Sequence, residues 1–369
     1  MYPISISLFS FPKYSKRDEA NGKIDRDFNQ NSVNDCGYIA AIYSISQTKE
    51  GAQTIEDSLT IIQDDEGDNL EYNVTFKGTG ETYTITQEEL EKAKVLDENG
   101  RQYATGDDDV TIYELAIEKC FKESDDETLK NILKNYTGCI DGDVLNSVSP
   151  SAVIYAILGE TSETIKKSEV NTETIEGNSL FTDTTINTVD VNGETIEFIE
   201  GQRYKPSEKF SNTLCITDVQ NNEKIIMDYD DYIDNVFIPN NQSSAEHASK
   251  MLDNFEQNPL TNVMTFGTSG DCTIEGIYGN TYEFNSAHAY SIESVEGDKV
   301  TLTNASRHDN EKYVISKDSL LALENYWIFG TEKEDSIEAK MDDIVEKDSA
   351  TYYPNIFSLI TDKLFGSKN

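Results

Sequence analysis

The sequence predicts a mixed α+β fold in which helices dominate the first half of the chain and an antiparallel sheet its end. Apolar residues recur at helical spacing in several segments between residues 36 and 160. Alternating apolar and polar residues on either side of "EGDK" (296–299) predict a β-hairpin late in the chain. Helices and strands that separate along the sequence in this way are typical of α+β domains.

The first helix is predicted directly after a loop that ends at Asn34 or Asp35, since either side chain can cap a helix. Ile39, Ile42 and Ile45 then follow near helical spacing, which places Cys36 in the first turn. The segment "LEYNVTFKGTGETYTITQ" (70–87) alternates around "KGTGE" and predicts a hairpin. Three further helices are predicted because each segment places its apolar residues on one helical face: "DVTIYELAIEKCFKE", "DETLKNILKNY" and "SPSAVIYAILGE".

Changes in composition divide the chain into four predicted segments. Helical patterns, the hairpin and Cys36 fall in a helical half at residues 1–160. Short β-like runs rich in Thr, Asn, Glu and Asp predict a β-rich insertion at residues 161–243. A sheet half follows at residues 244–332, and a charged C-terminal tail at residues 333–369.

The charge balance excludes some classes of partner. The chain has 30 basic and 69 acidic residues among 369, a formal net charge of −39. Nucleic acids and anionic membranes are bound through Lys and Arg, so we expect neither as a partner and interpret the acidity as a feature of solubility or of a saline habitat. A hydrophobic content of 37% is too high for a disordered acidic protein and predicts a packed fold.

The cysteine and histidine counts argue against structural crosslinks and metal centres. No CxxC pair occurs among the five widely spaced cysteines, so neither a disulfide framework nor a zinc site is predicted (Cys36, Cys120, Cys139, Cys215 and Cys272).

No run of eighteen apolar residues is present, and the first residues lack the basic start of a signal peptide. We therefore expect a cytoplasmic protein, or one exported without a recognisable signal peptide.

Four side chains form a candidate catalytic set. Cys36 in the first turn of a helix is placed where the helix dipole and free N–H groups stabilise a thiolate. His288 begins a predicted strand in "AHAYSI" and could act as the base, with Asn304 on the return arm of the same hairpin to orient the ring. The Gln30 amide could face a developing oxyanion beside the Cys36 backbone N–H. His247 and His308 are alternative bases, but neither has a flanking strand and a partner amide.

Singly, each of these residues has an ordinary structural explanation, and their order along the chain is what favours a catalytic site. A buried cysteine usually behaves as a small hydrophobe, as we expect for Cys120 and Cys215. A histidine that begins a strand is more often structural than catalytic. Gln, Cys, His and Asn in this order, each with suitable predicted local structure, are far less expected by chance.

The residues around Cys36 resemble a known family. The segment "QNSVNDCGYIAAI" (30–42) is similar to the active-site stretch of calpain-type cysteine proteases, a branch of the papain-like clan. "HAYSI" resembles the histidine motif of that family, and Asn304 falls where its asparagine follows. Weaker likenesses extend the resemblance over about residues 25–330, interrupted by the insertion.

The resemblance implies a papain-like fold with a cleft between the two halves, and a cysteine endopeptidase that acts on protein or peptide substrates. It implies Cys36 as nucleophile, His288 as base, Asn304 as the orienting amide and Gln30 as oxyanion donor. No cofactor is required for this chemistry, and calcium enters only as a regulator that the family resemblance implies. No EF-hand loop is present in the sequence.

The chain departs from the family pattern at several positions. Asn34 and Gly37 stand where the family has Gly and Trp, and "NASRHDNE" replaces its Asn-Pro-Trp-Gly motif. Without that tryptophan, we expect the bond between His288 and Asn304 to be more open to water. Trp327, the single tryptophan, is predicted in the core.

Two alternatives remain open from the sequence. Papain-like triads also support acyl transfer, transglutaminase-like chemistry and isopeptide cleavage, because all of them pass through a thioester. A catalytically decayed binding module would likewise keep the fold while losing family positions around the triad. The sequence predicts neither the substrate specificity nor the oligomeric state.

Overall fold

The structure is a computed structural model that describes residues 19–24, 28–135, 144–167, 182–183, 188–191, 194–198, 203–210, 212–218, 221–268, 270–306 and 311–334. The predictions for Cys139, His308 and nearly all of the tail at 333–369 lie outside these residues.

Six helices lie in the first half of the described chain, and three more lie before and within the last sheet. They are α1 (Cys36–Gln47), α2 (Lys49–Ser58), α3 (Gln87–Ala93), α4 (Asp108–Glu123), α5 (Glu127–Asn135), α6 (Pro150–Leu158), α7 (Tyr229–Tyr232), α8 (Ile238–Gln257) and α9 (Lys317–Ala322). A π-helical turn, Ile233–Phe237, joins α7 to α8.

Strands are short and pair antiparallel. They are β1 (Leu59–Gln63), β2 (Asn69–Thr75), β3 (Thr82–Thr86), β4 (Glu163–Lys167), β5 (Thr182–Asp183), β6 (Thr188–Val191), β7 (Glu194–Glu197), β8 (Arg203–Phe210), β9 (Thr213–Asp218), β10 (Lys224–Asp228), β11 (Met264–Thr268), β12 (Cys272–Glu275), β13 (Thr281–Phe284), β14 (His288–Glu296), β15 (Lys299–Asn304), β16 (Glu311–Ser316) and β17 (Tyr326–Gly330).

The largest sheet has six strands in the order β16-β15-β14-β11-β17-β4. A second sheet, β1-β2-β3, belongs to the helical half, and a third, β10-β9-β8-β5, belongs to the insertion. Two further pairs, β12-β13 and β6-β7, stand apart from these sheets. The predicted α+β class is therefore confirmed, with antiparallel pairing in every sheet described.

Buried apolar residues form three cores. The first lies between α1, the β1–β3 sheet, α4 and α6, and the second between the six-stranded sheet and α8. A smaller third core lies between β8–β10 and the helical segment that begins at α7. The two larger cores place a helical layer against a sheet layer.

Helix α1 joins these layers because it is buried along almost its whole length. Residues 36–45 are all buried, with α6 on one side and strands β14 and β11 on the other. Two hydroxyls fix α1 to the sheet, since Ser44 donates to the Met264 carbonyl at 3.0 Å and Ser291 donates to the Ala40 carbonyl at 2.7 Å. The first turn of α1 is thereby held against the start of β14.

Two elements cross the predicted limits of the insertion at 161–243. Strand β4 lies inside that range but pairs with β17 as the edge strand of the six-stranded sheet. The helical segment that ends as α8 begins at Tyr229, well before the predicted boundary. Neither feature carries a strong local signal, because β4 is short and the sequence from 229 to 243 lacks a clear apolar period.

Candidate active site

Cys36 lies at the first position of α1 and faces the start of β14. Its thiol donates to the Ala287 carbonyl, with 3.7 Å between sulfur and oxygen, and its side chain packs on Ala40 and Ala289. Ala287 and Ala289 flank His288. The structure thus brings the predicted nucleophile and the predicted base together across 252 positions of sequence. The local sequence patterns that predict the helix and the strand do not predict this contact between them.

The expected thiolate is not the resting state of Cys36 in this structure. Burial raises the pKa of the Cys36 thiol to about 11, and the charge of Asp35 acts in the same direction. The backbone N–H groups of Ala289, Gly37 and Cys36 favour the thiolate but do not compensate for the lost hydration. The prediction of a dipole-stabilised thiolate is therefore wrong for this geometry, and Cys36 holds its proton at neutral pH.

His288 and Asn304 form the predicted pair. His288 Nε2 lies 3.0 Å from Asn304 Oδ1. Thr303 pairs with Ser291, so Asn304 and His288 are diagonal neighbours on adjacent strands, which long side chains can bridge. The rings of His288 and Tyr290 pack in a T-shaped arrangement, with the ring centroids 4.9 Å apart.

The hydrogen bonds of Asn304 fix the tautomer of the imidazole. The backbone N–H of Ser306 donates to Asn304 Oδ1 at 3.3 Å, so the atom that faces His288 is the amide oxygen. Because that oxygen is an acceptor, Nε2 carries the ring proton and Nδ1 carries the lone pair. In a neutral ring, Nδ1 is then the atom that can accept a proton.

The predicted exposure of this pair to water is wrong at Asn304, which is only 1% exposed. Its strand β15 lies inside the sheet, paired with β14 on one side and β16 on the other. The strand position therefore shields the amide without the tryptophan of the family motif.

Ala287, directly before His288, adopts a left-handed backbone conformation with φ of 52°. This conformation is costly for a residue with a Cβ and is found most often where surrounding structure and function require it. It turns the Ala287 carbonyl towards Cys36 at the point where β14 begins.

Gln30 is anchored to the loop that holds Asn304. Its backbone N–H donates to the Ser306 carbonyl at 3.4 Å, and its side-chain Nε2 donates to the Val33 carbonyl at 2.8 Å. An amide nitrogen has two hydrogens, so one of them is committed to Val33 and the second is the one that a substrate oxygen could use. Gln30 thus lies beside the loops of the predicted site.

Cys36 and His288 line one cavity of about 230 Å³. Trp327 and Phe329 form an aromatic wall of this cavity, with their rings stacked at 6.0 Å, and the Lys166 ammonium lies 4.5 Å from the centroid of the Trp327 ring. The prediction that Trp327 belongs to the core is therefore wrong. Tyr326 and Ile328 point into the core, and strand alternation places Trp327 on the opposite face.

The backbone around Gly37 leaves no room for a side chain at this position. A Cβ on residue 37 would lie 2.0 Å from the Val148 carbonyl oxygen, so no larger side chain fits. The segment before α6 occupies this space, and Asn34 holds that segment because its side-chain Nδ2 donates a hydrogen bond to Asn146 Oδ1 at 2.9 Å. Val148 therefore contributes to the cavity wall where the family pattern would place an aromatic ring.

One cluster outside the cavity could hold a metal ion. Among the described residues, Glu163, His247 and Glu332 place one ligand atom each within 4.8 Å of one another, with 3.2 Å between His247 Nε2 and Glu163 Oε1. One imidazole and two carboxylates suit zinc better than calcium, which takes six to eight oxygens. His247 is thus engaged with a carboxylate on β4 and not with Cys36.

None of the described helices combines the length and apolar character that crossing a membrane requires. Neither the comparison with protein-family models nor the search of curated proteins finds a match to this chain. A proposal of function therefore rests on the geometry of the site.

Proposed function

We propose that this protein is a cysteine endopeptidase with a papain-like fold and a Cys36–His288–Asn304 triad. The observation that carries the proposal is the contact of the Cys36 thiol with both neighbours of His288, while Asn304 binds the far nitrogen of the same ring. A nucleophile, a base and an orienting amide in this order are the components of covalent acyl transfer.

The reaction begins from a neutral thiol and a neutral imidazole. His288 Nδ1 accepts the thiol proton as Cys36 Sγ bonds to the carbonyl carbon of the substrate, and the carbonyl electron pair moves to oxygen. The Cys36 backbone N–H and the second Gln30 amide hydrogen stabilise that oxyanion. As the intermediate collapses, the C–N bond breaks and His288 returns its proton to the amine, which leaves a thioester that water hydrolyses.

Because the pKa of Cys36 is raised, the thiol depends mainly on His288 to remove its proton. A preformed thiolate would react without a base, whereas a buried thiol must lose its proton during attack. Asn304 supports this step because the bond to Nε2 keeps the lone pair on Nδ1 and stabilises the imidazolium as it forms.

The shape of the cavity indicates the substrate class. Its aromatic wall favours an apolar side chain next to the bond that is cleaved, and the net charge of −39 disfavours strongly acidic proteins as substrates. We therefore propose neutral or basic proteins and peptides with an apolar residue near the scissile bond.

Labelling with the epoxide inhibitor E-64 and digestion of a denatured basic protein test the proposal. We expect wild-type protein and Cys272→Ala to be labelled and to release new peptide termini, and Cys36→Ala to do neither. Cys272 is a matched control, since it is a half-buried free cysteine in a separate cavity. Equal labelling of wild type and Cys36→Ala would refute the assignment. Mass spectrometry of the digest also separates hydrolysis from acyl transfer, which would give amine-labelled or crosslinked products.

A binding module without catalysis is the second candidate, and the raised pKa of Cys36 is the observation that favours it. A binding module has no need of His288, so His288→Ala would leave the alkylation rate of Cys36 by iodoacetamide unchanged. For the endopeptidase, the same substitution removes the base, and alkylation and proteolysis both fall.

A further inference from the structure

Asp35 lies at the N-cap of α1 but does not cap it. Its backbone angles are φ −118° and ψ 33°, its side chain makes no bond to the free N–H groups of the first turn, and it is 0% exposed. The prediction of a side-chain cap at this position is therefore wrong. The carboxyl turns into the protein, towards helix α4.

The partner of the Asp35 carboxyl is the carboxyl of Glu114 on α4, which is also 0% exposed. Glu114 Oε2 accepts the Ala104 backbone N–H at 2.7 Å. Among the described residues, no N–H or O–H donor makes a well-formed hydrogen bond to Glu114 Oε1 or to either oxygen of Asp35, although the Gln30 amide and the Asp35 backbone N–H lie near enough to favour an ionised Asp35. Buried oxygens without donors are rare in folded proteins, and two carboxylates in contact cannot both be ionised without a large penalty.

We propose that Asp35 and Glu114 share one proton and that this carboxyl pair positions the first turn of α1, with Cys36 and Gln30. One proton between the two carboxyls supplies the donor that the geometry calls for, as in other buried carboxyl pairs. The bond joins the residue before the nucleophile to a second helix. The catalytic consequence rests on the proposed function, whereas the shared proton does not.

The surroundings support a proton at neutral pH. Burial raises the pKa of Asp35 to about 7, although Glu114, Gln30 and the Arg101 guanidinium act to lower it. Burial and then the Asp35 charge hold the pKa of Glu114 well above its ordinary value, with a smaller effect of Glu118.

The other charged or titratable groups near the pair do not neutralise it. Arg101 is bound to Glu118 at 3.2 Å, and the ammonium of Lys122 also binds Glu118. Tyr38, whose pKa burial and the neighbouring carboxyls raise further, donates its hydroxyl to the Val110 carbonyl at 2.6 Å. Asp107 caps α4 and is itself acidic. A proton, and not a side-chain cation, therefore balances the pair.

Loss of the shared proton would act on the active site in two ways. An ionised Asp35 raises the pKa of the adjacent Cys36 thiol. It also attracts the Gln30 amide, whose second hydrogen the substrate oxyanion needs. We therefore expect the pair to favour catalysis while it keeps the shared proton and to oppose catalysis at higher pH, once that proton is lost.

Asp35→Asn tests the shared proton, because an amide keeps the bond to Glu114 and cannot ionise. Urea unfolding is measured at pH 5 and pH 8 for wild type, Asp35→Asn and the control Asp109→Asn. Asp109 is a buried carboxylate with two backbone donors, from Asn21 at 2.9 Å and Gly22 at 3.0 Å. We expect Asp35→Asn to unfold at a higher urea concentration than wild type at pH 8, and Asp109→Asn at a lower one.

Two further measurements keep the proposal falsifiable if one variant folds poorly. The infrared band of a protonated carboxyl should be present in the wild type at pH 7 and lost in both Asp35→Asn and Glu114→Gln. Alkylation of Cys36 at pH 8 should be faster in Asp35→Asn than in the wild type, because the substitution removes a negative charge that raises the pKa of the neighbouring thiol.

Neither measurement requires proteolysis, so a failed protease assay would not contradict the shared proton. Likewise, absence of the shared proton would not contradict the proposed protease activity. If Asp35→Asn loses as much stability at pH 8 as Asp109→Asn, or if the infrared band survives in both pair variants, the proposal is overturned.

Discussion

Replacement of Gly37 by alanine tests how closely helix α1 is packed behind the thiol. An alanine Cβ would lie 2.0 Å from the Val148 carbonyl oxygen and 3.2 Å from its carbonyl carbon. Carbon and oxygen atoms normally approach to about 3.3–3.6 Å, so the two backbones must separate by more than about 1 Å. Overpacking costs about 1–3 kcal/mol, and we expect about 3 kcal/mol because the obstacle is backbone and cannot rotate away.

The assay is urea unfolding at neutral pH, followed by the fluorescence of Trp327, the single tryptophan in the chain. Gly267→Ala is the matched control on the other side of the cavity, since its Cβ would meet only the His288 carbonyl, at 3.4 Å, an ordinary contact. We expect Gly267→Ala to change the unfolding free energy by less than about 1 kcal/mol. Equal midpoints for the two variants, or a Gly37→Ala protein as stable as wild type, would refute the packing argument.

Four further outcomes follow from the site. Gln30→Ala should lower kcat by about 10²–10³-fold with a smaller change in KM, the usual effect of removing one oxyanion donor; an unchanged kcat would exclude Gln30 from that role. Asn304→Ala should lower kcat roughly tenfold, the equivalent of one hydrogen bond of about 1.4 kcal/mol, and a rate equal to wild type would show that His288 needs no orienting amide. The raised pKa of Cys36 contributes stability that is present below about pH 9 and lost as pH rises through about 11, so wild type should lose more urea resistance over that range than Cys36→Ala; equal losses would contradict the burial argument. Proteolysis should persist in excess EGTA, because thiol, imidazole and amide supply the chemistry, and a loss that calcium restores would establish regulation by that ion.

Local signals predicted the elements that carry the site. Apolar spacing after Asp35 placed Cys36 at the start of a helix, and that helix begins at Cys36. The turn at "EGDK" predicted two strands with His288 and Asn304 on facing arms. The two side chains form a hydrogen bond, with 3.0 Å between His288 Nε2 and Asn304 Oδ1. Both predictions depend on residues within about twenty positions of one another, where periodicity and turn chemistry act directly.

The properties that sequence could not supply depend on distant neighbours. The pKa of Cys36 is set by burial against β14, which comes about 250 residues later. The helical pattern of α4 does not distinguish Glu114 from its neighbours, and only the packing of α4 behind α1 brings Glu114 to Asp35. Trp327 was misplaced because its strand has one face in the core and the other on the cavity, and the sequence alone does not say which face is which.

The burial of α1 connects these findings physically. A helix enclosed from Cys36 to Ile45 holds its nucleophile on a rigid element, which favours precise attack, but the same enclosure removes the water that would stabilise a thiolate. The acidic pair behind Cys36 would increase that penalty if it were fully ionised. In the mechanism we propose, a protonated Asp35–Glu114 pair, together with a His288 ring that Asn304 holds in one tautomer, would let this buried thiol ionise only as a substrate carbonyl accepts its electrons.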